Sequence, residues 1–447
     1  MKKLLFITSL ALLFGFTLAQ AQVPDPVSIL AAGGRPPFVG ITDLDNDGDG
    51  DLVIVFDNVD SIVTLLGNGL GGFGTRTASG IGGANAQLAG ADFADFNNDG
   101  NMDILVASLG PNHAIIAWGN GAGAFTNPIA GTGSPCYAVA AGYFDNDLNA
   151  DIALVMNTAS GTDSIRYWFG NGLNPPSGNF FNQVNVPTGG DLPFMATKLV
   201  DSNFVPPVHH IAVSNYISST VGLSISNGNR TFNTSNFATR SGPIGIVWDK
   251  LNNDNLPDIA VACYNWDSVF VHNGTNLTTY GAPVGYQVGS GPCGLAGGDF
   301  TGDGRVDLAA GNQNTPNVSF LVNNGSGGFM PAINAPARFG TWAAFAGDIN
   351  NNGLPDLALG SYSQDSVKVF NLRAPSVTPS VLAGNPPSGA PFTLPVITAR
   401  DTTNIASVRL VYRQMGKTVY DTLTLTAGAG SATQRDYTGS LPAGTMT

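Results

Sequence analysis

Glutamate is absent from this 447-residue chain, in which all 31 acidic residues are aspartate. Glutamate is a good surface helix former, whereas Asp, Asn and Gly favour turns and caps, so a helix-rich fold is disfavoured. The absence also excludes HExxH zinc proteases, EF-hands that close on Glu, and Glu-based acid/base pairs. With 58 glycines, the composition indicates an all-β fold of short strands joined by turns.

Cysteine and positive charge are also scarce. Three cysteines, Cys136, Cys263 and Cys293, are too few for a disulfide framework, and we predict that all three are free thiols. The 18 basic residues leave a net charge of −13, so nucleic acid is not an expected partner. After the first 21 residues no run approaches the roughly 18 apolar residues that span a bilayer, so no membrane span is expected.

The N-terminus has the three parts of a secretory signal peptide. Met1-Lys2-Lys3 is followed by an apolar run from Leu4 to Leu18 and then by Ala19-Gln20-Ala21, an A-x-A cleavage site. The mature chain is therefore expected to begin near Gln22. This pattern predicts a secreted or cell-surface protein.

One phrase recurs along most of the chain: a run of Asp and Asn, a closing Asp, and then four or five apolar residues. Six copies close on aspartate, and a seventh, eroded copy has His210 at that position. The closing residues of the six are Asp51, Asp103, Asp151, Asp258, Asp307 and Asp356. Steps of 48 to 59 residues between copies indicate one supersecondary unit per repeat.

Each of the first six repeats also carries an Asn-Gly pair followed by an aromatic residue, as in Asn68-Gly69 before Phe73. Asn-Gly between apolar strands is a strong hairpin signal. One repeat therefore contains four antiparallel strands, which is a propeller blade. Repeat seven lacks its fourth strand, and Val27–Leu30 is left over before repeat one. We predict that this N-terminal strand closes the last blade and removes the exposed edges.

These repeats resemble the FG-GAP and VCBS repeat family, which occurs in integrin alpha chains and in many secreted bacterial proteins. The resemblance covers roughly residues 27–372 and implies a seven-bladed β-propeller in an exported, bacterial protein. It also implies that the loop between the first and second strands of a blade, here called the Asp loop, holds calcium on one face. Ligands are then expected on the opposite face. The resemblance does not specify an activity.

The Asp loop has the chemistry of a calcium site. Oxygens at positions 1, 3 and 5 converge, Gly at position 6 permits the turn, a carbonyl at position 7 adds a ligand, and the carboxylate at position 9 closes the shell. Four loops keep this pattern, which predicts about four structural Ca²⁺ ions. The candidate ligands are Asp43, Asp45, Asp47, Asp49 and Asp51 in loop one, Asp95, Asn97, Asp99, Asn101 and Asp103 in loop two, Asp299, Thr301, Asp303, Arg305 and Asp307 in loop six, and Asp348, Asn350, Asn352, Leu354 and Asp356 in loop seven.

Three loops depart from the pattern. Loop three keeps Asp145, Asp147 and Asp151 but has Tyr143 at position 1 and no Gly at position 6, which argues against an ion there. Loop four has no usable carboxylates. Loop five begins with Lys250, whose ammonium group is a candidate replacement for the ion. The alternative for all loops is that Asp and Asn serve only as turn residues.

The repeats end after Leu372. Residues 374–391 are rich in Pro, Ser and Gly and are predicted to be a linker. Residues 392–447 contain strand patterns of an incomplete immunoglobulin-like β-sandwich. The predicted organisation is a signal peptide at 1–21, a propeller at 22–373, the linker, and a partial sandwich, so the sequence is expected to be a fragment.

The predicted function is a non-catalytic, monomeric recognition or adhesion module for an extracellular protein or glycan. A carbohydrate-active enzyme such as a propeller lyase, a lectin, and a passive spacer are the alternatives. The absence of Glu and of a converging Lys, His or Tyr cluster disfavours a lyase. Tyr264 and Trp266 lie at a predicted loop tip and are candidate ligand contacts, although packing on their own blade is an alternative role.

Overall fold

The computed structural model describes two compact units, one spanning Asp25–Leu372 and one containing Arg373–Thr447. The described residues are 26–31, 34–81, 87–110, 114–130, 135–156, 163–171, 181–187, 193–201 and 207–372, together with seven strands between 377 and 441. The predicted signal peptide and most of the predicted linker lie outside these residues.

The unit Asp25–Leu372 contains seven four-stranded antiparallel sheets, one for each sequence repeat. In chain order the strands are β1 Pro26–Ala31; β2 Phe38–Thr42, β3 Asp51–Phe56, β4 Ser61–Gly67 and β5 Phe73–Gly80 (blade one); β6 Leu88–Ala94, β7 Asp103–Ser108, β8 Ala114–Gly119 and β9 Phe125–Ala130 (two); β10 Cys136–Gly142, β11 Asp151–Met156, β12 Ser164–Phe169 and β13 Phe181–Pro187 (three); β14 Pro193–Asp201, β15 Val208–Asn215, β16 Thr220–Ser226 and β17 Phe232–Ala238 (four); β18 Pro243–Asp249, β19 Asp258–Cys263, β20 Ser268–His272 and β21 Val284–Gln287 (five); β22 Pro292–Gly298, β23 Asp307–Asn312, β24 Asn317–Leu321 and β25 Ile333–Pro336 (six); and β26 Thr341–Gly347, β27 Asp356–Ser361 and β28 Ser366–Phe370 (seven). A short 3₁₀ helix, Tyr264–Trp266, follows β19.

The first strands of the blades form a closed circle. Each contacts the first strand of the next blade, and β26 of blade seven contacts β2 of blade one. The fold is therefore a seven-bladed β-propeller, as the repeats predict.

Blade seven takes its fourth strand from the N-terminus. Strand β1 pairs antiparallel with β28, with Ile29 opposite Lys368 and Leu30 opposite Val367. This confirms the predicted closure. The pairing covers the outer edge of β28 and joins the two ends of the propeller chain, which gives blade seven the same four strands as the other blades.

The second strand of each blade lies between two neighbouring blades. All six residues are buried in β3, β7, β11, β19, β23 and β27, which explains their continuous apolar runs. Between blades two and three, for example, Leu105 and Ile116 pack with Ile152 and Leu154. Each such side chain contributes about 1.5–3 kcal/mol through burial, so the blade interfaces hold the ring together.

Disulfides do not contribute to this core. Cys136, Cys263 and Cys293 are buried and free, as predicted, and burial raises the pKa of each thiol to about 12. Two of the four histidines, His210 and His272, are buried in β15 and β20. His113 lies outside the described residues.

The second unit is described only through its strands. Strands β29 Val377–Pro379, β31 Ile397–Arg400, β34 Gln434–Thr438, β33 Asp421–Ser431 and β32 Val408–Tyr412 form one sheet in that order, and β30 Phe392–Thr393 pairs with β35 Ser440–Leu441. An immunoglobulin-like sandwich remains a prediction for this unit. Among the described residues of the chain, no helix has both the length and the apolar character needed to cross a bilayer.

Candidate functional site

Six Asp loops close on a buried aspartate, and in five of them its carboxylate ties the loop to two strands. In blade one, Oδ2 of Asp51 accepts the Leu44 N–H at 2.7 Å and Oδ1 accepts the Gly67 N–H at 2.7 Å. The same pair of bonds, from a residue seven positions earlier and one 16 to 19 later, recurs in four other blades, at Asp103, Asp151, Asp258 and Asp356. The carboxylate thus fixes where the loop begins and where the third strand ends.

Blade four keeps this arrangement with a different residue. At the closing position, Nδ1 of the buried His210 accepts the Ser226 N–H at 3.1 Å, the donor 16 residues later. An imidazole nitrogen therefore replaces the carboxylate oxygen in the repeat that the sequence marks as eroded.

Burial makes these carboxylates costly to ionise. It is the largest cause that raises their pKa from 3.8; neighbouring loop carboxylates raise it further, and the backbone N–H bonds oppose the shift. The pKa rises to about 6 at Asp51, Asp258 and Asp356, to about 7 at Asp103 and Asp307, and to about 8 at Asp151. At neutral pH each loop therefore benefits from a nearby donor or cation.

Many of the predicted ligand oxygens also shape the turn. At position 1, Asp43 accepts the N–H of the position-6 Gly48 at 3.0 Å, and the equivalent bonds form at Asp95, Asp299 and Asp348. At position 5, Asp47 accepts the Asp49 N–H at 2.8 Å. The bond at position 5 is an Asx turn, and the bond at position 1 closes the whole loop, so the role as turn residues is present in the structure alongside any metal role.

Loop one retains oxygens that no hydrogen bond satisfies. Asp43 Oδ1 and Asp45 Oδ1 are buried atoms without a hydrogen-bond partner. Carboxylate oxygens of Asp43, Asp45 and Asp51 lie within 4.8 Å of one another. Buried carboxylate oxygens are normally hydrogen-bonded, and oxygens without a donor can instead coordinate a cation. The residues of loop one therefore fit a metal ion.

Loop three has an internal cation. Its Asp145, Asp147 and Asp151 also bring oxygens within 4.8 Å of one another. Arg230, from the hairpin turn of blade four, places Nε 2.6 Å from Asp145 Oδ2 and an Nη 3.4 Å from Asp147 Oδ2. The guanidinium therefore provides positive charge where the sequence argued against an ion.

Arg230 occupies an unusual backbone position. Its φ is 65°, and the equivalent residues of the turns in blades one, two and six are Gly71, Gly123 and Gly327, all with positive φ. A long side chain is rare in this region and costs about 1 kcal/mol or more. The Asp-loop pattern does not predict the contact between Arg230 and loop three. The signal in the sequence is an arginine in the hairpin turn at a position where other repeats have glycine.

Loops five and seven use asparagine amides. Nδ2 of Asn350 lies 2.8 and 2.9 Å from the two oxygens of Asp356, and Nδ2 of Asn252 lies 3.1 Å from Asp254 and 3.3 Å from Asp258. Lys250 is exposed. In loop five the predicted replacement of the ion by the Lys250 ammonium is therefore wrong, because the Asn252 amide donates to the buried carboxylate instead.

Neighbouring Asp loops are linked around the face of the disc. The position-4 side chain of one loop donates to position 7 of the next: Asn46 to Asn101 at 3.3 Å, Asn98 to Asn149 at 3.2 Å, and Asn351 to Asp49 at 2.5 Å. All three donors have positive φ, which asparagine tolerates. The last of these bonds joins blade seven to blade one.

The candidate ligand contacts Tyr264 and Trp266 lie together in the 3₁₀ helix. The Trp266 side chain is exposed, its Nε1 donates to Ser241 Oγ at 3.1 Å, and the guanidinium of Arg240 lies 5.1 Å from its ring. Tyr264 is half-buried and its hydroxyl accepts from Asn314 Nδ2 at 3.1 Å. The indole is therefore held in place but remains available at the surface.

Replacing Arg230 tests the internal cation of loop three. Arg230→Gly removes the guanidinium and at the same time relieves the positive-φ strain, so a loss of stability reports the missing contacts of the guanidinium with Asp145, Asp147 and the Phe169 ring. We expect a loss of about 1–2 kcal/mol in the free energy of unfolding, measured by urea denaturation in chelator. Calcium should recover part of the loss because the three carboxylates then face an open site. A variant as stable as the wild type would contradict this role.

Comparisons with known proteins agree with the repeat architecture. Residues 43–106, 95–154, 250–310 and 299–359 match the model of the FG-GAP-like repeat family, and these ranges contain every Asp loop except that of blade four. No curated protein matches the sequence. The fold is similar to a crystal structure of BBS1N in complex with ARL6DN (TM-score 0.53, 15% identity, 79% of this chain and 98% of that chain). It is also similar to virginiamycin B lyase from Staphylococcus aureus (TM-score 0.50, 14% identity, 77% and 99%).

Identities this low show a shared fold and nothing about activity. The family assignment rests instead on the matched repeats and on the seven blades that contain them. The chain is an FG-GAP repeat protein that folds as a seven-bladed β-propeller.

Proposed function

We propose that this chain is a secreted recognition or adhesion module whose ring is stabilised by calcium. The observation that carries the calcium part is the pair of buried, unpartnered oxygens on Asp43 and Asp45, beside the carboxylate of Asp51. Uncompensated buried carboxylate oxygens destabilise a fold unless a cation or proton joins them.

Calcium fits the donor set of these loops. It prefers six to eight hard oxygen ligands from carboxylates, amides, carbonyls and water, which the loop pattern provides. Loop one presents such oxygens without a competing side chain. In loop two the Asn97 amide donates to Asp99, in loop six Arg305 forms an ion pair with Asp303, and in loop seven the Asn350 amide donates to Asp356, so each of these side chains must turn aside for an ion to bind. We therefore expect one tighter site, in loop one, and three weaker sites. When bound, calcium supplies the divalent charge that the buried closing carboxylates need.

The face opposite the Asp loops is the proposed recognition face. The Asp loops follow the first strands, whereas Trp266 follows a second strand, and successive antiparallel strands end on opposite faces. The exposed indole of Trp266 offers a flat apolar surface for a sugar ring or a peptide side chain. Export rests on the signal-peptide pattern of residues 1–21 and predicts a mature N-terminus at Gln22.

Chelation should destabilise the propeller. A site held at 100 times its dissociation constant contributes about 2.7 kcal/mol, so losing several sites should lower the melting temperature by on the order of 10 °C or more. Differential scanning calorimetry with and without chelator measures this effect, and elemental analysis counts the ions. Asp43→Asn should reproduce part of the loss. Asp365→Asn, an exposed aspartate in the β27–β28 turn, is the matched control. An unchanged melting temperature would contradict the proposal.

The pH dependence of stability should change sign with calcium. Without metal, the closing aspartates have folded-state pKa values of about 6 to 8, above their ordinary 3.8, so protonation favours the fold. The melting temperature in chelator should therefore fall as pH rises from 5 to 8. With saturating calcium it should rise over the same range, because protons compete with the ion. Parallel slopes in both conditions would show that calcium does not bind these carboxylates.

Ligand recognition can be tested on a glycan array, with and without calcium. The proposal expects a defined set of bound glycans or protein ligands, with binding weakened at least tenfold by Trp266→Ala and with no chemical turnover of the ligand. Ile217→Ala is the control because Ile217 is also exposed and lies in the equivalent turn of blade four. Cleavage of a bound glycan would favour the enzyme alternative, and equal binding by both variants would remove Trp266 from the site.

A further inference from the structure

Arg240, in the loop that leads into blade five, is an exposed arginine next to the Trp266 surface. Arg35, Arg230 and Arg305 each form an ion pair with an aspartate. No described residue places a carboxylate within 4.0 Å of the Arg240 guanidinium, and none of them accepts a hydrogen bond from its N–H groups. In the part of the chain that the structure describes, this positive charge therefore lacks a counter-charge.

Two aromatic rings hold the Arg240 guanidinium instead. Its Cζ lies 5.1 Å from the centroid of the Trp266 ring and 5.6 Å from that of Phe270. The two rings stand edge to face, with centroids 6.0 Å apart and an interplanar angle of 89°, and the indole N–H donates to Ser241 Oγ at 3.1 Å. Contact with aromatic rings restrains a flexible arginine without using its N–H donors, so the planar fork is pre-organised for a ligand.

The aspartate that follows Trp266 in the chain has a different role. Asp267 Oδ1 accepts the Gly291 N–H at 2.8 Å, and the Asp267 carbonyl accepts the Gln287 side-chain amide at 2.8 Å. The Asp267 carboxylate thus ties the turn of blade five to the loop that leads into blade six. It does not pair with Arg240.

The N–H groups of Arg240 match a carboxylate. A guanidinium presents a rigid fork that binds a carboxylate through two parallel hydrogen bonds of about 2.8 Å. Because the guanidinium is in contact with the indole, a carboxylate held by this fork lies beside the same ring. A ring-shaped ligand that carries a carboxylate can therefore contact both Arg240 and Trp266.

The uncharged groups of this surface favour a sugar over a peptide. Ser241 and Asn314 are exposed, and the Tyr264 hydroxyl is bonded to the Asn314 amide at 3.1 Å. Hydroxyl and amide groups donate and accept, as sugar hydroxyls require. An extended peptide instead needs an open strand edge, whereas Tyr264–Trp266 is a 3₁₀ helix whose first N–H already donates to the Gly242 carbonyl at 2.8 Å.

We propose that this surface binds an acidic sugar, with its carboxylate paired to Arg240 and its ring beside the indole of Trp266. The inference rests on the proposed recognition role of Trp266 and specifies the chemical class of its ligand. Trp266 then has two roles, since it contacts the sugar and also positions the guanidinium.

A glycan array in calcium-containing buffer tests the proposal on the full chain. It contains trigalacturonic acid and 3′-sialyllactose, each beside its carboxyl-reduced form, together with a sulfated galactose oligomer and a polyaspartate peptide. We expect binding of at least one carboxylated glycan, and binding of its reduced form weaker by about tenfold or more, because the fork loses its charge-assisted hydrogen bonds.

The failure of this inference is distinct from the failure of the recognition role. Binding of neutral glycans alone, or equal binding of a carboxylated glycan and its reduced form, would overturn the acidic-sugar assignment and leave the recognition role standing. Preference for the sulfated oligomer or for polyaspartate would overturn it in the same way. An array without any bound glycan would overturn the assignment and restrict the recognition role to protein ligands.

Variants at Arg240 locate the carboxylate, with affinities measured by isothermal titration calorimetry. Arg240→Gln should weaken binding of the carboxylated glycan by about tenfold or more and leave any binding of its reduced form unchanged, whereas a merely structural role would weaken both alike. Arg240→Lys keeps the charge without the fork and should give an intermediate loss. Arg76→Gln is the matched control, because Arg76 is also exposed but lies in β5 of blade one.

Two results with these variants would overturn the proposal. One is equal affinity of the wild type and Arg240→Gln for the carboxylated glycan. The other is binding that survives Arg240→Gln and disappears in chelator, which would assign the carboxylate to bound calcium.

Discussion

The buried carboxylate that closes each Asp loop is the constraint on which the rest of the propeller depends. In five blades it fixes the loop to the start of the second strand and to the end of the third, so these blades have the same geometry at this face. Two backbone N–H donors do not fully compensate a charge that has left water, and the raised pKa values express that deficit. The buried carboxylate therefore needs a further hydrogen-bond donor or a positive charge.

The blades supply this further donor or charge in different ways. Loop three takes the guanidinium of Arg230 from blade four, loops five and seven turn an asparagine amide inward, and blade four removes the charge by using His210. Loop one is left with unpartnered oxygens. The position that closes the loop thus stays the same within this one chain, while the group that contacts the loop carboxylates changes from blade to blade.

The sequence could predict what depends on local pattern. The Asp-loop spacing, the Asn-Gly turns and the apolar runs each lie within about 50 residues, and they predicted seven blades, four strands per blade and closure by the N-terminal strand. The contacts that distinguish the loops cross between repeats. Arg230 is 85 residues from Asp145, and Asn46 is 55 from Asn101, so no pattern within a repeat contains both partners. Arg230 is the exception, because an arginine at a position where other repeats have glycine is a departure visible within its own repeat.

The uneven distribution of these groups has a consequence for the ring as a whole. The four loops that keep the candidate calcium pattern lie in blades six, seven, one and two, which are contiguous. Side chains of the protein also contact the carboxylates of loops two, six and seven, through Asn97, Arg305 and Asn350, but only loop one keeps a cluster of carboxylates with unpartnered oxygens. This half also contains the junction of the chain ends, where β1 pairs with β28, Asn351 donates to Asp49, and Asn371 Nδ2 donates to the Gly71 carbonyl at 3.0 Å. A ring opens most easily where covalent continuity is missing. Cations bound on either side of that junction would therefore stabilise the part of the propeller that the backbone itself does not close.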